Sequence, residues 1–225
     1  MSILTSVGII VLAMLIQALL QLTPSVFSIW YHYALGKNSK NKVLDLSGYF
    51  VVGVESMVLL LAMIIYFVML KVPNTDLTNL ILAGILVAMG MFGFFGYYRK
   101  GRSTELFISR KTARGFCAKA KTAHKKSDIF VLGIVTCVSE LFLTLPLLIV
   151  VIMQAINFAI TDQMIIFAVY LLVVMTPTGV VRGNFLNGKN LADIQKTRVK
   201  NKNFYRIMIG CSYVVMAFLL VMGIF

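Results

Sequence analysis

Three polar residues stand at regular intervals in an apolar segment of the second half of the chain. Thr136, Glu140 and Thr144 are each four residues apart, so a helix places them on one face. An ionisable side chain at membrane depth costs about 2.5–3.5 kcal/mol on insertion scales, and it usually faces the bundle interior or a transport pathway. Glu140 therefore has two interpretations: a proton or cation carrier, or a hydrogen-bonded link between helices.

A second polar group interrupts the apolar run at the start of the chain, around the sequence QLTPSVFSIWYHY at residues 21–33. Gln17 and Gln21 share a helix face by the same four-residue spacing. If the first and fourth apolar segments cross at the centre of a bundle, these glutamines form the wall opposite Glu140. Thr23 and Pro24 follow and complete the candidate site on this side.

Pro24 and Pro146 each stand in the later half of an apolar segment. A proline inside a helix removes one backbone hydrogen bond and pushes on the carbonyl four residues earlier. Freed backbone groups at membrane depth are tolerated where protein or a water-filled cavity surrounds them. The prolines therefore predict helices that are kinked or broken at these points. A plain kink satisfied by neighbouring hydroxyls and a binding site both fit the sequence.

Two further residues are weaker candidates. Glu55 is expected about 10 Å deep in the second apolar segment, counting 1.5 Å per residue from its start, as part of a pathway or as a link between helices. His32 lies between two tyrosines, where aromatic residues typically form an interfacial belt; the alternative is a gate. With no HExxH or CxxC motif, the sequence predicts neither a metal site, a cofactor nor an enzyme.

The composition places these residues in a membrane. Of the 225 residues, 60% are hydrophobic and 13% are charged, which lies outside the range of soluble globular proteins. Six segments approach or exceed the roughly 20 residues that cross a bilayer core. We predict an all-α integral membrane protein with six transmembrane helices at residues 3–35, 49–70, 78–98, 128–153, 163–181 and 204–225.

The basic residues predict the orientation of these spans. All of the 21 Lys and Arg except Lys71 fall in three segments, at 37–42, 99–126 and 182–206. Cytoplasmic loops collect Lys and Arg. We therefore expect these segments on the cytosolic side of the plasma membrane and both chain termini on the outer side. The formal charge of +13 then needs no nucleic acid as a partner, because it serves topology and attracts anionic headgroups at the cytosolic face.

The loops divide the chain into a first three-helix half at 1–98, a basic cytosolic segment at 99–127 and a second three-helix half at 128–225. Within the basic segment, apolar residues at helical spacing predict an amphipathic helix on the inner headgroup layer: Leu106, Ala113, Phe116 and Ala120. Glycines in the third span predict close helix packing: Gly84, Gly90, Gly93 and Gly96.

The two halves enter the membrane from opposite sides, so a shared structure would make them a three-plus-three inverted-topology repeat. The matching sequences are LTPS at 22–25 and LTLP at 143–146, and matches this short also arise by chance. With six spans and prolines in spans one and four, the chain resembles the lysine-exporter superfamily. Span one has no cysteine beside its proline and Cys137 stands nine residues before Pro146, which departs from the thiol-electron carriers of that group.

The sequence thus predicts a secondary transporter or exporter of a small solute or ion, with a site at the midplane between spans one and four. The alternative is a non-transporting membrane subunit that docks a partner or anionic lipid through its basic loops. Either form is compatible with a homo-oligomer.

Overall fold

The computed structural model describes residues 3–20, 23–72, 75–95, 110–187 and 202–222. Every secondary-structure element in these ranges is an α-helix. In chain order the helices are α1 Ile3–Leu20, α2 Thr23–Leu35, α3 Lys40–Met69, α4 Asp76–Phe95, α5 Arg110–Thr122, α6 Lys126–Ala155, α7 Ile160–Leu186 and α8 Lys202–Met222.

Five stretches are long and apolar enough to cross a membrane: Ile3–Leu35, Asn41–Met69, Asp76–Phe95, Lys126–Ala155 and Ile160–Asn184. The first comprises α1 and α2 and runs over residues 21 and 22, which lie outside the described ranges. The apolar part of α8, Ile207–Met222, is shorter. The chain is therefore a helical, multi-pass membrane protein, with a helix at each of the six predicted positions.

The helices extend beyond the apolar segments from which they were predicted. α3 begins at Lys40 rather than near residue 49, and α7 continues to Leu186 rather than ending near 181. Hydropathy locates the apolar part of a helix, whereas the backbone continues until its hydrogen-bonding pattern is interrupted. As a consequence Glu55 lies halfway along α3, deeper in its helix than the sequence suggested.

α6 is the central helix of the bundle. It contacts α1, α2, α3, α4, α5 and α7, and half of its most apolar window is buried inside the protein. Pro146 lies inside α6, and the helix continues past it to Ala155. The predicted disturbance in the fourth span is therefore not a break.

Basic residues from different segments meet at one end of the bundle, which we call the basic end. Lys37 Nζ lies 3.2 Å from His124 Nε2, and Lys126 Nζ lies 3.6 Å from Asp45 Oδ2. Arg182, near the end of α7, is close enough to interact electrostatically with Tyr31 of α2. These contacts place parts of all three basic segments on the same side, as their predicted common location requires.

Glycines allow the closest helix contacts. A Cβ on Gly53 would lie 2.2 Å from the carbonyl oxygen of Phe130, and one on Gly133 would lie 2.4 Å from that of Phe50. α3 and α6 therefore touch backbone to backbone. Gly90 and Gly93 of α4 pack against α8 near Gly210, which confirms their predicted packing role.

The remaining glycines of that prediction behave differently. A Cβ on Gly84 would meet nothing within 4 Å, so this glycine is not needed for a close contact within the bundle. Gly96 lies outside the described residues.

The predicted helix in the basic segment is present as α5. Its residues Phe116 and Ala120 are buried, and the helix contacts α2 and α6. Trp30 of α2 donates from Nε1 to the carbonyl of Ala123, just after α5, at 3.2 Å. This apolar face is thus covered by the protein's own helices rather than left for the headgroup layer. Leu106 lies outside the described residues, and the side chain of Ala113 is not described.

Candidate functional site

The buried carboxylate of Glu140 joins two helices. Glu140 lies halfway along α6 and is 7% exposed. Its Oε1 accepts a hydrogen bond from the backbone amide of Thr23 and a second, at 2.9 Å, from the Thr23 hydroxyl. Hydrogen bonds to an ionised carboxylate are stronger than neutral ones. Glu140 therefore ties the middle of α6 to the start of α2.

The start of α2 is suited to this role. Thr23 is its first residue and Pro24 its second. Amides in the first turn of a helix have no partner within that helix, and a proline there sacrifices no hydrogen bond. The positive end of the helix dipole also favours a negative group at this place. One turn later, Ser28 donates to the carbonyl of Pro24 at 2.6 Å.

A third and a fourth helix contribute a hydrogen bond at the same level. Gln17 of α1 is 3% exposed and its Oε1 accepts from the hydroxyl of Tyr170 in α7 at 2.5 Å. The Cys137 thiol lies close enough to both Glu140 and Tyr170 to interact with them electrostatically. We call Gln17, Thr23, Cys137, Glu140 and Tyr170 the Glu140 cluster.

The predicted threonines of α6 bond to its own backbone. Thr136 Oγ1 donates to the carbonyl of Leu132 at 2.7 Å, and Thr144 Oγ1 donates to the carbonyl of Glu140 at 3.1 Å. Their hydroxyls are thus engaged within α6, although both residues are buried. Thr144 thus bonds to the backbone of the residue that carries the carboxylate.

Pro146 lies in α6 six residues after Glu140, and α8 contributes a hydrogen bond nearby. A proline lacks the amide that would bond four residues back. The hydroxyl of Tyr213 in α8, itself buried, donates to the carbonyl of Leu143 at 2.7 Å. A tyrosine from another helix therefore bonds to the carbonyl next to that of Phe142, whose usual amide partner Pro146 lacks.

The remaining predicted site residues are Gln21, Glu55 and His32. Gln21 is outside the described residues. Glu55 is half-buried, and within the described chain no hydrogen bond joins it to the cluster. His32 is exposed, and its ring lies 5.8 Å from that of Tyr33. Its position suits an aromatic belt, and a gating role stays a prediction.

Sequence reasoning missed Cys137, Tyr170 and Tyr213 as members or supports of the site. Cys137 carried a signal, because a residue three positions before Glu140 shares its helix face. Tyr170 and Tyr213 carried none, since their partners lie 153 and 70 residues away in the chain. Pro177 lies inside α7. The predicted kinks or breaks concerned Pro24 and Pro146 and did not include this proline.

Polar pairs also occur away from the cluster. Ser6 donates to Gln154 at 3.0 Å, and Tyr66 donates to Gln163 at 3.1 Å. A cavity of about 120 Å³ lies at the end of the bundle opposite the basic end and is lined by residues including Met69, Thr78 and Met153. Its lining contains no member of the cluster, and its largely apolar walls offer little for an ion.

The described residues contain no group of three His, Cys, Asp or Glu that could hold a metal ion. The Glu140 cluster contains one carboxyl group, that of Glu140, which accepts two hydrogen bonds from Thr23. Comparisons of the chain with protein families, with curated proteins and with solved structures found no significant match.

Proposed function

We propose that the protein is a secondary transporter or exporter of a small solute or ion, with Glu140 as its proton- or cation-carrying residue. The observation that carries the proposal is the pair of hydrogen bonds from Thr23 to the buried Glu140 carboxylate. An ionisable group in the middle of an apolar helix is costly. Because Glu140 contacts the start of a second helix, a change in its charge would affect the contact between the two helices.

The coupling follows from the chemistry of a carboxyl group. The ionised form accepts both bonds from Thr23 and benefits from the positive end of α2. Protonation, or neutralisation by a bound cation, removes the charge and weakens both interactions. α2 is then held less firmly at Glu140, while its other end stays tied to the Ala123 carbonyl through Trp30. Occupancy of the site thereby changes how firmly α2 is held against α6.

We further propose that the basic end faces the cytosol, that both termini lie outside, and that the membrane is the plasma membrane. Anionic headgroups at the cytosolic face would then be the lipids that contact the basic end. The support is the location of Lys37, Lys126 and Arg182 on one side of the bundle, together with the general enrichment of Lys and Arg in cytoplasmic loops.

An inverted repeat is part of the proposal, as in the lysine-exporter arrangement that the chain resembles. Residues 3–35 would correspond to α6, α3 to α7 and α4 to α8. The paired stretches have 33 and 30, 30 and 27, and 20 and 21 residues.

The helix contacts support this correspondence. The members of each pair contact each other, as they would around a two-fold axis: α1 with α6, α3 with α7 and α4 with α8. The contact of α3 with α6 is matched by α7 with α1, and that of α4 with α6 by α8 with α1.

The decisive experiment replaces Glu140 by glutamine. Glu140→Gln keeps the shape and one acceptor for Thr23 but cannot exchange a proton. We expect a folded protein with an unchanged or raised unfolding temperature, because a buried ionisable group is replaced by a neutral one. In proteoliposomes, flux driven by a proton gradient should be lost. A panel of small solutes and ions provides the readout, with and without the gradient.

Glu55→Gln is the matched control, because Glu55 is also a carboxylate halfway along a spanning helix but stands outside the cluster. Its flux should be close to that of the original chain. Gradient-dependent flux that survives in Glu140→Gln would rule out the carrier role. Absence of flux in the original chain across the panel would favour the alternative, a non-transporting subunit that docks a partner through the basic end.

A further inference from the structure

A half-buried arginine of α7 lies at the basic end, near α2. Arg182 is in the last part of α7, four residues before Leu186. Its side chain is half-buried, and its Nε is fully buried with no hydrogen-bond partner among the described residues. Within the same part of the chain, no carboxylate lies at ion-pair distance from it; the ion pair found there joins Lys126 to Asp45.

A second unsatisfied group lies on the same face of α7. Thr178 precedes Arg182 by one helical turn, so the two side chains are neighbours. Thr178 is 1% exposed, and its hydroxyl has no hydrogen-bond partner among the described residues. Most threonines in helices bond to a carbonyl one turn back, as Thr176 does with Leu172 at 2.9 Å. Within the described part of the chain, no such bond engages the Thr178 hydroxyl.

Tyr31 provides the opposite wall. It is fully buried on α2 and close enough to Arg182 for an electrostatic interaction. A guanidinium and two hydroxyls thus come from two neighbouring helices, and two of their buried donors, Arg182 Nε and Thr178 Oγ1, have no hydrogen-bond partner among the described residues. Buried donors without partners are rare because each costs about 1–3 kcal/mol. Such a group indicates a ligand.

We propose that Arg182, Thr178 and Tyr31 bind a phosphate group at the basic end of the bundle. The planar guanidinium offers several donors that match the oxygens of phosphate, and hydroxyl donors complete the set. The proposed site lies at the later half of α2, whereas Thr23 lies at its start. The proposal does not depend on transport at Glu140.

The phosphate of an anionic lipid headgroup is the source that the location favours. Arg182 lies about 6 Å from the end of α7 at 1.5 Å per residue, at the basic end of the bundle. Basic pockets between transmembrane helices on the cytoplasmic side are typical headgroup sites. A soluble phosphate that enters from the basic end would use the same chemistry, so the test must separate the two sources.

The test measures thermal unfolding of the full chain in nanodiscs. In one arm the lipid is phosphatidylcholine with increasing phosphatidylglycerol; in the other it is phosphatidylcholine alone with increasing inorganic phosphate. We expect phosphatidylglycerol to raise the unfolding temperature of the original chain. Arg182→Gln should weaken this response at least about tenfold in the lipid fraction required, as loss of a charged hydrogen-bond donor predicts. Thr178→Val should weaken it less.

Lys37→Gln is the matched control, because it removes an exposed charge at the same end. It should respond to phosphatidylglycerol like the original chain. A response to inorganic phosphate that Arg182→Gln also weakens would confirm the phosphate site and assign it to a soluble ligand. Should Arg182→Gln respond like the original chain in both arms, or lose no more than Lys37→Gln, the proposal would be overturned.

Arg182→Lys distinguishes loss of binding from a folding defect. It keeps the charge but loses the planar set of donors, so it should show a weakened response with a normal unfolding temperature in pure phosphatidylcholine. If Arg182→Lys responds fully, general charge attraction explains the effect and the specific site is disproved.

Discussion

Gln17 and Tyr170 show how the neighbourhood of Glu140 is held together. They come from α1 and α7 and meet at 2.5 Å, and both are buried. An amide and a phenol taken out of water each need a partner, and losing one partner leaves the other unsatisfied. The pair therefore fixes the positions of two helices beside the Cys137 thiol and, through it, beside Glu140.

This view predicts a strongly non-additive double-mutant cycle. Tyr170→Phe and Gln17→Leu should each lower the free energy of unfolding by about 1–3 kcal/mol, because each leaves one buried polar group without a partner. The double variant should lose clearly less than the sum, since both polar groups are then gone. Denaturant unfolding in a mild detergent measures all four species. Additive losses would mean that the two residues do not act as a pair.

The site was only half predictable from the sequence. Glu140, Thr23 and Gln17 stand out because a polar residue in an apolar segment is conspicuous. Which atoms bond to which could not be predicted, because it depends on how α1, α6 and α7 pack. Thr136 and Thr144 show what spacing can and cannot predict. Their spacing predicts a shared helix face, but it does not predict that their hydroxyls donate to carbonyls of α6.

At the level of the helices, backbone contact between α3 and α6 sets the frame on which the site is built. Gly53 and Gly133 make this contact, each facing a carbonyl of the other helix. Both are single glycines in their segments, without the regular spacing that drew attention to the third span. A close approach depends on two helices at once, so it cannot be found from the pattern of either one alone.

We therefore expect Gly133→Ala to destabilise the protein. The added Cβ would lie 2.4 Å from the Phe50 carbonyl oxygen, a backbone atom that cannot move without shifting α3. Overpacking of this kind typically costs about 1–3 kcal/mol. Gly84→Ala is the matched control, because nothing lies within 4 Å of its Cβ position; it should leave stability unchanged or slightly raised. Equal unfolding midpoints for the two variants would contradict the close contact.

At the level of the whole molecule, the positions of the apolar helices followed from composition. A membrane interior forces each apolar segment into a helix, because its backbone polar groups have no other partner. Length and hydropathy therefore place the helices, including the long first stretch Ile3–Leu35. The central position of α6 and the covering of α5 by the bundle did not follow, since they depend on packing between segments.

The distribution of charge supplies the last prediction, which concerns orientation. In a chain whose three cysteines are replaced by alanine, Lys119→Cys marks the basic end and Ile160→Cys marks the opposite end; both positions are exposed. If the basic end faces the cytosol, a membrane-impermeant maleimide should label Ile160→Cys in intact cells and Lys119→Cys only after permeabilisation. The reverse pattern would place the basic end outside. Phosphatidylglycerol of the inner leaflet could then not be the source of the phosphate bound near Arg182, although binding in nanodiscs would persist.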